Sequence, residues 1–119
     1  GGLPVKTVSG AKNLFGAPKD FQEFIAAEFG KLEKDDDGSC ESGIQITVDK
    51  VHKDGFASGA ITSCGGYAAF WAKTDGKWKE ALGTQELPDC KRLNEFGFPL
   101  SIAGDKCSNE DGKHVPYTP

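Results

Sequence analysis

The chain has 119 residues, enough for one domain around one core. Apolar residues make up 37%, so eight Phe and two Trp must supply much of the buried area, while 16 glycines argue for turns and strands rather than a helical bundle. The net charge of −4, with Arg92 as the single arginine, argues against nucleic-acid binding, and no apolar run approaches the 18 residues of a membrane span.

Residues 1–16 show no period and read as an extended lead-in, pinned in places by Leu3, Val5, Val8, Leu14 and Phe15. The Gly1-Gly2-Leu3 start lacks an initiator Met. We therefore expect that an N-terminal segment has been removed, and any membrane anchoring would run through it.

Residues 17–107 are expected to form a single α+β domain. Its first element is a helix over 18–33. Pro18 suits the first turn, and Asp20, Glu23 and Glu28 favour the N-terminal half. Phe21, Phe24, Ile25, Phe29 and Leu32 make one apolar stripe. Gly30 weakens the last turn by about 1 kcal/mol relative to Ala. The polar run at 35–42 reads as a solvated loop. It resembles a calcium loop only superficially, because Ile44 stands where a bidentate Glu is needed.

The sheet follows. Ile44, Ile46 and Val48 alternate with polar residues, and Asp54-Gly55 supplies a type I′ hairpin signal. With Lys53 facing Phe56, Val48 faces Ile61 and Ile46 faces Ser63. Tyr67 to Thr74 is strand-like, and Asp75-Gly76 is a second hairpin signal before Lys77 to Leu82. With Thr74 facing Lys77, Phe70 faces Ala81 and Ala69 faces Leu82, and Trp71 and Trp78 lie diagonally on one face. The expected fold is therefore one N-terminal helix on a four-stranded antiparallel meander. Beyond it, Lys91 to Phe96 reads as one short helical turn ended by Gly97, and residues 108–119 read as a C-terminal tail.

Four cysteines, Cys40, Cys64, Cys90 and Cys107, read as two disulfides in a domain this short, with spacing too wide for a zinc site. Disulfides place the protein outside the cytosol. Antiparallel pairing brings Cys40 near Cys64, and Cys90–Cys107 would close the tail. This pairing is favoured among the three that four cysteines allow.

One helix crossing an antiparallel meander resembles the cystatin-like, or NTF2-like, layout. A closer resemblance is to extracytoplasmic domains of small bacterial secreted proteins and lipoproteins. It rests on Phe21-Gln-Glu-Phe24-Ile25, Asp54-Gly55-Phe56-Ala57-Ser58-Gly59, Asp75-Gly76-Lys77-Trp78-Lys79, Gly83-Thr-Gln-Glu-Leu-Pro88-Asp-Cys90 and the tail from Leu93 through Phe98-Pro99 to Cys107. That likeness implies a compartment and a fold, and no catalytic residues.

No nucleophile–base set, Gly-x-Ser-x-Gly, GxGxxG or P-loop is present. His52, beside the first hairpin turn, and His114, in the tail, read as solvated. No catalytic residue, cofactor or metal is expected. The candidate binding face is Tyr67, Trp71, Trp78 and Glu80, with Glu80 the carboxyl to inspect for a perturbed environment. The expected function is an extracytoplasmic binding or accessory domain for an unidentified protein or small-molecule ligand, not an enzyme. Two alternatives stand beside it. One is a small NTF2-like isomerase or hydrolase with a carboxylate in the sheet cavity, and the other is a structural spacer of the cell envelope.

Overall fold

The structure, a computed structural model, describes residues 2–36, 38 and 43–119. In chain order it contains strand β1 (Leu3–Val5), a 3-10 turn (Ser9–Asn13), helix α1 (Lys19–Asp35) and strands β2 (Ile44–His52), β3 (Phe56–Ser63), β4 (Gly66–Thr74) and β5 (Lys77–Thr84). Two short helices, α2 (Cys90–Phe96) and α3 (Leu100–Ala103), and a small hairpin of β6 (Lys106–Ser108) and β7 (His114–Pro116) complete it. The architecture is α+β, as expected from the sequence. The expected polar loop at 35–42 and Cys40 lie mostly outside the described residues.

The main sheet has five antiparallel strands in the order β1-β2-β3-β4-β5, not four. The extra strand comes from the lead-in, with Leu3 opposite Val48 and Val5 opposite Ile46. Three residues with Pro4 at their centre carry no strand signal. A proline is tolerated there because β1 lies at the sheet edge, where one side of the backbone needs no ladder bond.

The first hairpin departs from its expected register. Its loop has three residues, Lys53, Asp54 and Gly55, so His52 rather than Lys53 faces Phe56. Gly55 alone takes a left-handed conformation (φ 92°), and its N–H donates to the His52 carbonyl at 3.1 Å. A type I′ turn would need positive φ at Asp54 as well. A bulge at Asp49 then adds a second one-residue slip, so Ile46 faces Ile61 and Val48 faces Gly59. Two slips of one residue restore the original face. The apolar residues therefore still point at the helix.

The second hairpin follows its expected register from Thr74–Lys77 to Trp71–Glu80. Both Asp75 (φ 52°) and Gly76 (φ 79°) are left-handed, as the two-residue turn requires. A bulge at Ala81 then shifts the ladder, so Phe70 faces Leu82 and Ala69 faces Gly83. Ala81 and Leu82 consequently both serve the face opposite α1.

Each face of the sheet is covered. On one, the α1 stripe of Phe21, Ile25 and Phe29 packs on Val5, Ile46, Val48, Ala57, Ile61, Ala69, Trp71 and Trp78. On the other, Phe70, Ala72 and Ala81 meet Leu93, Phe98, Ile102, Cys107 and Tyr117. The C-terminal segment is thus a second packed layer with two helices, where the sequence suggested one helical turn. Asp89 caps α2 by accepting the Arg92 N–H at 2.9 Å, and Gly97 (φ 74°) ends it with the Phe98 N–H returned to the Leu93 carbonyl. The Cys90–Cys107 disulfide closes this layer, as expected. Tyr117 is buried and its hydroxyl donates to the Phe98 carbonyl at 2.6 Å, tying the last residues back to α2–α3.

Candidate functional site

The four residues of the expected binding face do share one side of the sheet, and the structure divides them into two pairs. Trp71 is fully buried and Trp78 is 9% exposed. The ring centroid of Phe21 lies 5.8 Å from that of Trp71 and 4.7 Å from that of Trp78, both edge-on, and Phe24 stacks on Trp78 at 6.5 Å. These contacts make the tryptophans part of the helix–sheet core, where aromatic edges meet aromatic faces. Among the described residues, neither indole N–H has a hydrogen-bond acceptor.

Tyr67 and Glu80 sit at the rim of the same face. The Tyr67 hydroxyl donates to Glu80 Oε1 at 3.0 Å, and the pair borders a shallow hollow with Gly83, Thr84 and Gln85. Partial burial raises the Glu80 carboxyl above its ordinary value, with the charge of Glu28 adding and the Tyr67 hydrogen bond opposing. Burial, reinforced by Glu80, pushes the Tyr67 phenol up to about 12. The sheet face beneath the helix is filled by Phe21, Ile25 and Phe29, so Glu80 faces a rim and not a cavity under the helix.

A polar cleft of about 360 Å³ opens at the N-terminal end of α1. There Lys73 Nζ lies 2.6 Å from Asp20 Oδ2, joining the first turn of α1 to β4. The Lys73 ammonium holds the Asp20 carboxyl below the usual carboxylate range, with desolvation working against it. His52 borders this cleft, where its Nδ1 accepts the Asp54 N–H at 3.1 Å and so closes the hairpin turn. His114, in β7, is exposed.

A groove of about 870 Å³, larger than the cleft at the N-terminal end of α1, runs between the Ser9–Asn13 turn and the flank of α1. It has no counterpart among the features expected from the sequence. Val8 and Lys12 line one wall, and Lys19, Gln22, Ala26 and Glu33 line the other. Gln22 builds the groove by donating from Nε2 to the carbonyls of Leu14 (3.1 Å) and Ala17 (3.2 Å), which clamps the lead-in against the helix. Val8 is 43% exposed there. The helical spacing of 19, 22, 26 and 33 was visible as a stripe beside the apolar one. The path of the lead-in, which makes the stripe a wall, was not.

Cys64 is disulfide-bonded, and its expected partner Cys40 lies outside the described residues. Among the described residues, no group of three His, Cys, Asp or Glu is placed to hold a metal ion, and no helix is long and apolar enough to cross a membrane. Searched against protein-family models, curated proteins and solved structures, the chain matches none of them.

Proposed function

We propose that this chain is an extracytoplasmic binding or accessory domain that engages its partner through the groove between the Ser9–Asn13 turn and α1. The observation that carries this reading is that both faces of the main sheet are covered by packed layers, while the groove is open and flanked by charges that make no ion pair among the described residues. Ligand sites are concave and mostly apolar with a few polar groups to orient the partner. Val8 and Ala26 supply apolar surface here, and Lys12, Lys19, Glu23 and Glu33 supply the charge. The Cys90–Cys107 bridge is compatible with an extracytoplasmic setting. The resemblance to bacterial secreted and lipoprotein domains points the same way.

Two measurements test the reading. Intact mass should rise by about 4 Da on reduction if the four cysteines form two bridges, and four free thiols would remove the argument for the compartment. In the second, the fluorescent apolar anion 1-anilinonaphthalene-8-sulfonate is titrated into the native protein and into Ala26→Arg, which fills the groove. Saturable binding that the substitution abolishes is the expected result. Equal binding by both proteins would place the apolar surface elsewhere.

A further inference from the structure

Two of the charges that line the groove, Lys19 and Glu33, stand symmetrically on α1. On α1, Ala26 lies seven residues from Lys19 and seven from Glu33. Gln22 and Gly30 each lie four residues from Ala26, on the same flank. Lys19 and Glu33 are thus about 21 Å apart along the helix, at 1.5 Å rise per residue. Both are exposed, and among the described residues neither they nor Lys12 and Glu23 make an ion pair. The centre of the stripe is small: Ala26 is half-buried, and a Cβ built on Gly30 meets nothing within 4 Å.

We infer that the partner seated on this groove is a second copy of the chain, with the two α1 helices antiparallel about a two-fold axis through Ala26. This rests on the reading of the groove as the binding surface and names its occupant. In that arrangement Lys19 meets the partner's Glu33 and Glu33 meets the partner's Lys19. Gln22 meets the partner's Gly30, and the two Ala26 methyls meet at the axis. A two-fold interface must be self-complementary, because the same patch is present on both sides. A stripe with cation and anion at equal distances from a small central residue satisfies that condition. Small central residues allow close backbone approach, and antiparallel helices oppose their dipoles favourably. Val8, on the opposite wall of the groove, would be covered by the incoming helix. One helix pair stays below the ~1,200 Å² of a standard interface, so the association is weak and concentration-dependent.

Sedimentation velocity on the oxidised, full chain at concentrations up to about 1 mM tests this, since that range reaches weak interfaces. The wild type should show a reversible monomer–dimer equilibrium. Lys19→Glu and Glu33→Lys, each placing like charges in contact at two sites, should each weaken the dimer by about tenfold. The double variant K19E/E33K exchanges the charges and should return to within about threefold of wild type. Circular dichroism and thermal melts on each variant report that the fold is intact. A wild type that stays monomeric over the whole range overturns the inference. If it still binds the fluorescent anion in an Ala26-dependent way, the groove reading survives with a different occupant. A dimer that ignores both single charge reversals also overturns it, because the copies then meet elsewhere.

Discussion

A Cβ on Gly59 would overlap the carbonyl oxygen of Thr47 and lie 3.0 Å from Cη2 of Trp71. Gly59 stands opposite Val48, beside the bulge at Asp49, where a bulge disrupts the regular ladder spacing. Neither obstacle is a flexible side-chain end, so Gly59→Ala should destabilise the protein by about 3 kcal/mol in urea denaturation. A change under 1 kcal/mol would contradict this packing. The tyrosines offer a second residue-level prediction. Both, Tyr67 and Tyr117, hold their protons above the ordinary 10.0 because of burial. The folded state therefore binds more protons than the unfolded one there, and stability declines as pH rises past about 10. Absorbance at 295 nm should show little tyrosinate at pH 10 in folded protein and substantial ionisation on unfolding. Glu80 follows the same sign at lower pH. Its raised carboxyl contributes stability that is complete below its unfolded value near 4.5 and lost as pH rises through the folded value. Glu80→Gln should accordingly gain in melting temperature relative to wild type between pH 4 and pH 7. A constant difference across that range would rule out the burial effect.

Among the elements, α1 owes its position to its buried stripe and to one tie at its first turn. The Asp20–Lys73 pair joins that turn to β4, with the two side chains 41% and 39% exposed. Exposure of this kind limits the pair to below about 1 kcal/mol. Its sign with pH is opposite to that of Glu80. The depressed Asp20 carboxyl stabilises the fold above its unfolded value near 3.8, and the contribution disappears as pH falls through the folded value. Asp20→Asn should lower the melting temperature slightly at pH 7 and leave it unchanged near pH 2. The open edge strand β5 has its own device. The bulge at Ala81 interrupts its ladder, and Arg92 Nε donates to the freed Ala81 carbonyl at 3.2 Å. That bond also anchors α2 beside the sheet edge, which then offers a less regular template for strand addition.

At the scale of the whole molecule, the sheet carries two separate cores, one under α1 and one under the C-terminal layer. The second is closed by Cys90–Cys107, which spans 17 residues. In the chain-entropy model a loop of this size contributes about 3 kcal/mol. Replacing both cysteines by Ser should therefore destabilise the C-terminal layer first. Hydrogen exchange should speed up in α2, α3 and the β6–β7 hairpin, with α1 and β2–β4 still protected. Uniform acceleration through all elements would instead mean that the two cores unfold as one unit.

Which parts of this were legible in the sequence follows from how each feature is encoded. The stripe of Phe21, Ile25 and Phe29 determined α1 and its buried face, because helical periodicity is local. Asp75-Gly76 determined the second hairpin, since its two left-handed residues are side-chain preferences. Cys90 and Cys107 announced a closed tail. Other features depended on the tertiary structure. The loop at Lys53–Gly55 and the bulge at Asp49 together move the register by two residues, which preserves the apolar face and so leaves no mark in the alternating pattern. β1 forms only because β2 offers an edge, and Pro4 hides it from any propensity argument. The pairing of Trp71 and Trp78 on one face was readable, whereas their burial beneath Phe21 and Phe24 was settled by the helix that covers them. The groove depends on Gln22 bonding to the carbonyls of Leu14 and Ala17. Backbone carbonyls are the same at every residue, so the amino-acid sequence determined the helix stripe, and only the folded path of the lead-in turned it into a surface.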